Sequence, residues 1–181
     1  MIYVFFAHGF EEIEAITAVD VLRRAELEVV TVGVGSKTIT GSHGITIHCD
    51  ISERQVDVRK LDMLVLPGGI PGTLNLEKSP VVKAIIEYAA ANDAWLAAIC
   101  AAPSILGHMG ILEGKKATCA PGWEDQLEGA NHTAAAVEQD GKIITADGAG
   151  SSLPFALKLV EVLISKERAS DIGSAMRYVA Q

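Results

Sequence analysis

Cys100 is the residue of this 181-residue chain whose surroundings best suit covalent chemistry. It follows the apolar run of residues 94–99 and precedes Ala101, Ala102 and Pro103, and proline is tolerated in the first turn of a helix. A sharp strand-to-helix turn between small residues is typical of a nucleophile elbow, which exposes its nucleophile at the carboxyl edge of a sheet. The alternative is an inert buried cysteine, the usual fate of a lone cysteine in an apolar run.

A reactive thiolate at neutral pH needs a thiol pKa well below the free value of about 8.5. The dipole at a helix start lowers a pKa by less than about one unit, so a second group has to favour the charged sulfur. On a helical wheel of residues 11–25, Glu14 falls in the apolar half, whereas Glu12 falls where a solvated acid is expected. A buried carboxyl tends to keep its proton, so Glu14 is a candidate hydrogen-bond donor to sulfur. The alternative is an exposed acid in the first helical turn.

Two glycine-rich segments could bring backbone N–H groups close to a ligand. Residues 67–72 (PGGIPG) follow an apolar run, and residues 147–152 (DGAGSS) precede a predicted helix. Ordinary tight turns are the alternative for both, and neither matches a nucleotide-binding fingerprint. None of the five histidines has metal-ligand spacing with another suitable residue. We therefore predict that no metal and no cofactor is needed.

The apolar patterning predicts an α/β fold with a mostly parallel central sheet and helices on both faces. Buried strands are predicted at residues 2–7, 27–34, 63–66 and 94–99, and helices near residues 11–25, 80–91, 101–109 and 152–165. Residues 38–40 and 45–48 are predicted to form a hairpin at a sheet edge, residues 134–138 and 142–145 to form two further strands, and residues 168–179 to form a last surface helix. In a parallel sheet, Cys100, Gly69 and the turn at His8 and Gly9 should converge at one crevice. We expect one domain, residues 1–181.

The composition excludes several classes of partner. The chain has 15 Lys and Arg residues and 23 Asp and Glu residues, which gives a net charge of −8. This charge disfavours dedicated nucleic-acid binding and binding to anionic membranes. Three cysteines at wide spacing, Cys49, Cys100 and Cys119, fit neither a disulfide framework nor a zinc site and favour the reducing cytoplasm. Residues 94–112 carry no formal charge, but their proline and glycines argue against a membrane helix.

The charged face of the first predicted helix carries Ile13 and Ile16 beside Asp20 and Arg24. Two isoleucines on that face indicate a partner surface, that of a homodimer. The alternative is a pair of scattered exposed residues, which is common on soluble proteins.

Five ordered motifs together resemble the DJ-1/ThiJ/PfpI superfamily, in its DJ-1 branch. Residues 9–14, 19–25, 66–69, 98–103 and 148–152 read GFEEIE, VDVLRRA, LPGG, AICAAP and GAGSS. The resemblance implies a flavodoxin-like sandwich that dimerises partly through the first helix. It also implies a nucleophilic Cys100, a protonated Glu14 and an oxyanion pocket formed by the N–H groups of Gly69 and Ala101.

The resemblance further implies a cofactor-free glyoxalase or deglycase that acts on methylglyoxal, glyoxal or their early adducts, with a protective role in oxidative stress and chaperone-like behaviour. This sequence departs from the family pattern at two positions. Ala120 stands where members with a histidine partner carry that residue, which argues against a Cys–His pair. Ala101 stands where the intracellular-protease branch carries histidine, which argues against a peptidase.

We predict an enzyme in which Cys100 attacks a small α-oxoaldehyde or its adduct, Gly69 and Ala101 hold the oxyanion and Glu14 shuttles protons. The alternatives are a redox-sensing stress chaperone that uses oxidation of Cys100 and, third, an amidase or peptidase.

Overall fold

Strand β1 (Ile2–Phe6) shows how the chain builds a sheet that is buried on both faces. In the computed structural model, which describes residues 1–179, all five residues of β1 are buried. Its first, third and fifth residues enter one hydrophobic core, and its second and fourth enter another, because successive side chains of a strand point to opposite faces. Such a strand requires helices on both sides of its sheet.

The strands of the described residues fall into one large sheet and two small ones. Their bounds are β1 (Ile2–Phe6), β2 (Val29–Gly33), β3 (Thr38–Thr40), β4 (Thr46–His48), β5 (Ile51–Ser52), β6 (Met63–Leu66), β7 (Trp95–Ile99), β8 (Lys116–Ala117), β9 (Asn131–His132), β10 (Val137–Asp140) and β11 (Ile143–Ala146). The large sheet has the order β10-β11-β7-β6-β1-β2-β5, and its pairs are parallel except β10 with β11. The carboxyl ends of β1, β6, β7 and β11 therefore lie at one edge, where the loops that follow them meet.

The helices form a layer on each face of this sheet. Their bounds are α1 (Glu12–Arg24), α2 (Gly72–Lys78), α3 (Pro80–Ala91), α4 (Pro103–His108), α5 (Ser152–Leu163) and α6 (Lys166–Ala175). The buried side chains of α1, α5 and α6 belong to one core, and those of α2, α3 and α4 belong to the other. The predicted α/β architecture is confirmed. No helix among residues 1–179 is long and apolar enough to cross a membrane.

Three predictions about individual elements were wrong or incomplete. The hairpin forms, but β3 and β4 pair as a separate two-stranded sheet, and β5 occupies the edge of the large sheet beside β2. Helix α2 was not predicted, because seven residues are too few to show helical periodicity. The last helix, α6, begins and ends earlier than predicted, and its Ala169 and Ile172 are buried against the core.

Glu12 ties the loop of the hairpin to helix α1. Its side chain is buried, not solvated as predicted, because the loop between β3 and β4 folds over it. The carboxylate accepts hydrogen bonds from the His43 N–H at 2.7 Å, the His43 ring at 2.9 Å, the Ser42 hydroxyl at 3.3 Å and the Ile45 N–H at 3.4 Å. Burial alone would raise the pKa of Glu12, but these hydrogen bonds lower it to about 2. The hairpin is thus held to α1 by a charged carboxylate.

We expect the Glu12→Gln substitution to destabilise the protein in a pH-dependent way. At pH 7 the free energy of unfolding should fall by about 1–2 kcal/mol, because hydrogen bonds to a charged acceptor are replaced by weaker ones to an amide. A depressed carboxyl pKa stabilises the fold above the unfolded value and loses this contribution on acidification. The deficit should therefore shrink as the pH falls from about 4.5 towards 2.

Urea unfolding of both proteins across this pH range measures the deficit. Glu87→Gln, which changes an exposed acid on α3, serves as the matched control and should leave the stability at every pH close to that of the wild type. A Glu12→Gln deficit that is equal at pH 2.5 and pH 7 would contradict the role of the charge.

Candidate active site

Cys100 occupies the turn that joins β7 to α4. Its backbone φ is +65°, an uncommon conformation for a residue with a side chain, which persists only where the surroundings impose it. Here the Cys100 N–H donates to the Ala146 carbonyl at 2.9 Å, and the Cys100 carbonyl accepts from the Ala120 N–H at 2.9 Å. The turn leaves the Cys100 side chain half-buried at the carboxyl edge of the sheet.

Glu14 lies in the first turn of α1 and points inward, with 1% of its surface exposed. Its Oε2 accepts a hydrogen bond from the Gly68 N–H at 2.8 Å. Its Oε1 is buried and has no hydrogen-bond partner. Burial raises the pKa of Glu14 to about 7 against the opposing effects of the Gly68 N–H and of Cys100, and the negative charge of Glu11 raises it further. Glu14 therefore titrates close to neutral pH.

Gly68 is the point where the cysteine and the carboxyl meet. A Cβ placed on Gly68 would lie 2.6 Å from the Cys100 Cβ and 2.8 Å from Glu14 Oε2, closer than van der Waals contact allows. The Gly68 carbonyl also accepts a hydrogen bond from the Glu11 N–H at 2.9 Å. The absence of a side chain at this position therefore permits the close approach of β7, α1 and the loop after β6.

Backbone N–H groups from two loops face the Cys100 sulfur. Burial and the negative charge of an ionised Glu14 raise the pKa of the Cys100 thiol, and the N–H groups of Ala101 and Gly69 oppose this rise. The net result is a thiol pKa of about 12. Reactivity at neutral pH requires a thiol pKa well below the free value. While Glu14 is ionised this requirement is not met, because burial and charge repulsion outweigh the two N–H groups.

Protonation of Glu14 reverses its effect on the sulfur. The charge repulsion disappears, and a protonated carboxyl can donate a hydrogen bond to the thiolate. Because burial brings the pKa of Glu14 near 7, a protonated Glu14 is available at neutral pH. The two groups titrate as a pair, and a thiolate forms in the fraction of the singly protonated pair whose proton lies on Glu14 and not on sulfur.

The other residues predicted from the sequence differ in whether they contact the site. Gly9 adjoins Gly69, since its carbonyl would lie 2.6 Å from a Cβ at Gly69. His8 is exposed, and its ring accepts a hydrogen bond from the Thr40 N–H at 3.2 Å. Ala120 contacts the Cys100 backbone and offers no titratable group. The segment 147–152 follows Ala146, whose carbonyl bonds to Cys100, and leads through a short 3-10 turn into α5.

Cys49 and Cys119 differ from Cys100 in accessibility. Both are buried, whereas Cys100 is half-buried. Burial raises the pKa of each of the two thiols to about 11. Neither is poised for reaction with a molecule from solvent.

One group of side chains among residues 1–179 could offer metal ligands. Atoms of Glu11, Glu12 and His43 lie within 4.8 Å of one another, a proximity that the sequence spacing did not reveal because His43 lies on the hairpin. Both oxygens of Glu12 already accept hydrogen bonds from the hairpin. Those hydrogen bonds account for the arrangement without an ion.

Two contributors to the site were missed in the sequence. Gly68 was not predicted as a site residue, although it is paired with Gly69 after β6. Glu11 raises the pKa of Glu14, which the sequence did not indicate, since a linear sequence does not show which of three neighbouring acids face each other.

The sequence matches a known protein family over most of its length. The family model described as DJ-1/PfpI family matches residues 1–162. Protein dj-1beta of Drosophila melanogaster is 36% identical over 177 residues, which cover 96% of this chain and 94% of that protein. A Caenorhabditis elegans protein named glutathione-independent glyoxalase DJR-1.2 is 30% identical over 90% of this chain and 87% of that protein. The chain spans only 40% of the length of Protein DJ-1 homolog B of Arabidopsis thaliana, at 35% identity.

The solved structures give the same result. A structure of oxidised DJ-1 from Toxoplasma gondii superposes with a TM-score of 0.95 at 35% sequence identity, and the match covers 99% of this chain and 98% of that one. Family model, relatives and fold agree over nearly the whole length: the chain belongs to the DJ-1/PfpI family.

Proposed function

We propose that the protein is a cysteine-dependent, cofactor-free glyoxalase or deglycase that acts on small α-oxoaldehydes or their early adducts. The observation that carries the proposal is the pairing of Cys100, held at positive φ, with the buried carboxyl of Glu14 across Gly68. A nucleophile and a carboxyl that titrates near neutral pH are the two groups that this reaction requires. The glyoxalase name of the Caenorhabditis elegans relative supports the same chemistry.

The first step is the addition of sulfur to the aldehyde. The Cys100 thiolate forms a C–S bond to the aldehyde carbon of methylglyoxal, and the electron pair of the C=O bond moves to oxygen. The N–H groups of Gly69 and Ala101, which face the sulfur, hold the resulting oxyanion. Glu14, protonated in the thiolate state of the pair, supplies the proton that makes the hemithioacetal.

The second step moves hydrogen between the two carbons. The Glu14 carboxylate removes the proton from the former aldehyde carbon, and the resulting enediol is reprotonated at the neighbouring carbon. The aldehyde carbon is thereby oxidised to a thioester while the ketone is reduced to an alcohol, so no external oxidant or reductant is needed. Water then hydrolyses the thioester, which releases lactate and returns the Cys100 thiol. In a deglycase reaction the aminocarbinol or hemithioacetal adduct first releases its amine or thiol, which takes the proton of the carbinol O–H as the aldehyde C=O bond re-forms, and the same addition then follows.

Replacement of Cys100 by serine should abolish this turnover. We expect the wild type to form lactate from methylglyoxal in the absence of glutathione. Cys100→Ser should form no more lactate than buffer alone, because the hydroxyl is a much weaker nucleophile in the same place. Cys119→Ser changes a buried thiol and serves as the matched control, with wild-type turnover expected. Lactate formation by Cys100→Ser equal to that of the wild type would contradict the proposal.

Cys100 is half-buried, whereas Cys49 and Cys119 are buried, and this difference in accessibility also favours a second candidate, a redox sensor that protects cells or other proteins in oxidative stress. In that function two molecules of hydrogen peroxide oxidise the Cys100 thiolate to a sulfinate, each giving one oxygen to sulfur and leaving as water, and protonated Glu14 donates a hydrogen bond to the sulfinate. Mass spectrometry after mild peroxide treatment distinguishes the candidates when combined with the lactate assay. Selective oxidation of Cys100 without lactate formation supports the sensor, whereas equal oxidation of all three cysteines argues against it.

The role of Glu14 can be separated into charge and hydrogen bonding with two substitutions. The wild-type kcat/KM should rise with pH through about 7, as the pair loses its first proton and the singly protonated form accumulates. Both Glu14→Gln and Glu14→Leu should lose turnover because neither can shuttle a proton. The thiol pKa should be lower in Glu14→Gln than in Glu14→Leu, because only the amide can donate a hydrogen bond to the thiolate.

Titration of Cys100 by its ultraviolet thiolate absorbance measures these pKa values. Equal thiol pKa values in the two variants would show that hydrogen bonding from residue 14 does not stabilise the thiolate.

We further propose that the protein acts in the cytoplasm as a homodimer that pairs through α1. Ile13 and Ile16 are 57% and 41% exposed, and Asp20 pairs with Arg24 at 2.8 Å along the same helix. Light scattering should give a dimer mass for the wild type and a monomer mass for Ile16→Glu, because a buried glutamate at a symmetric contact is strongly unfavourable. Ile164→Glu, at an exposed isoleucine at the end of α5, should remain dimeric. A monomeric wild type at micromolar concentration would refute the proposal.

A further inference from the structure

We propose that His108 and Glu77 form a clamp that positions the two backbone N–H groups facing Cys100 and makes the reactivity of this site depend on pH. Both are positioning residues, since they act through the helices that carry them. The proposal rests on the proposed function in taking Gly69 and Ala101 as the oxyanion donors.

The clamp is a charged imidazole between two acceptors. His108 Nδ1 lies 2.6 Å from Glu77 Oε1, and His108 Nε2 lies 2.9 Å from Gln126 Oε1. Oxygens on both sides satisfy a doubly protonated ring, in which both nitrogens donate. The side chains of His108 and Glu77 are only 28% and 23% exposed, so water screens this pair less than it screens an exposed one.

The two residues end short helices that start at the active site. Glu77 lies in α2, whose first turn is tied to the donor loop by the hydrogen bond from the Thr73 N–H to the Gly69 carbonyl at 2.8 Å. His108 ends α4, whose first turn is tied to the elbow by the hydrogen bond from the Ser104 N–H to the Ala101 carbonyl at 3.1 Å. Each helix is only about 10 Å long at 1.5 Å per residue. A fixed separation at the clamp therefore fixes the separation of the two donors.

Nothing else of polar character joins these helices within the described part of the chain. Thr73 and Ser104 lie one helical turn before Glu77 and His108, on the same faces of α2 and α4. Both side chains are buried, and neither hydroxyl has a hydrogen-bond partner. The His108–Glu77 pair is thus the direct polar link between α2 and α4.

The charge of the clamp depends on the groups that face the ring. The hydrogen bond that His108 donates to Glu77 raises the pKa of His108, and burial opposes this. The hydrogen bond to Gln126 and the negative charges of Glu77 and Glu128 add to the rise. A raised histidine pKa means that the clamp is complete below about 6.5 and weakens as the pH rises through the folded value. In the neutral ring Gln126 can turn its amide to donate, whereas the charge attraction to Glu77 is lost.

The rate of alkylation of Cys100 by iodoacetamide, followed by mass spectrometry, tests the clamp without requiring turnover. Glu77→Gln and His108→Gln should both slow alkylation of Cys100 at pH 6 by roughly threefold to tenfold. We expect this smaller effect because the donors should shift by less than the 1 Å displacement that slows a reaction ~100-fold. The ratio to the wild-type rate should move towards one as the pH rises through the raised pKa of His108 and the wild-type ring loses its charge. Glu87→Gln, the exposed acid on α3, should match the wild type at every pH.

Proton NMR of the His108 ring, assigned by its absence in His108→Gln, supplies the second measurement. Its pKa should lie above that of a free histidine in the wild type and fall in Glu77→Gln. Wild-type alkylation rates in both variants at pH 6, with His108 still titrating as expected, would overturn the proposal and leave the pair a purely structural contact. Absence of lactate formation in every protein, with the alkylation effect intact, would refute the proposed enzyme and support the clamp.

Discussion

The burial of one carboxyl beside one thiol is the constraint on which the rest of the site depends. Two ionised groups with so little access to water would repel each other, and both would be poorly solvated. Burial therefore raises the pKa of Glu14 to about 7 and that of Cys100 to about 12, so at least one proton remains between them over the physiological range. The chemistry available to the site follows from where that proton resides.

The sheet supplies the geometry that this pair needs. Parallel strands bring the ends of β1, β6 and β7 to one edge, and each loop there contributes one part of the site. The turn after β7 exposes sulfur, the loop after β6 provides Gly68 and Gly69, and α1 after β1 provides Glu14. Gly68 lets the three approach within contact distance. The strain of the positive φ at Cys100 is offset by the sheet and by the backbone hydrogen bonds on either side of it.

Two acids in the same helical turn show how far the environment decides protonation. Glu12 and Glu14 are both almost fully buried, yet the pKa of Glu12 falls to about 2 and that of Glu14 rises to about 7. The difference lies in their hydrogen bonds. Glu12 accepts from several N–H and hydroxyl donors of the hairpin, whereas Glu14 accepts one from Gly68 and has an oxygen without a partner. The first acid holds a structure together, and the second is available for proton transfer.

The sequence by itself determined the fold class, the elbow at Cys100 and the inward side of Glu14. These follow from local patterns: apolar runs separated by helical periodicity, small residues around a thiol and the 100° step of a helix. The sequence misplaced Glu12, left His43 without a partner and missed α2, so it did not show the pairing of His108 with Glu77. The contacts of Glu12 with His43 and of Glu77 with His108 each join residues 31 positions apart that meet only after folding. Tertiary structure alone decided which acid is charged, because hydrogen bonds from distant segments, not helix position, set the balance against desolvation.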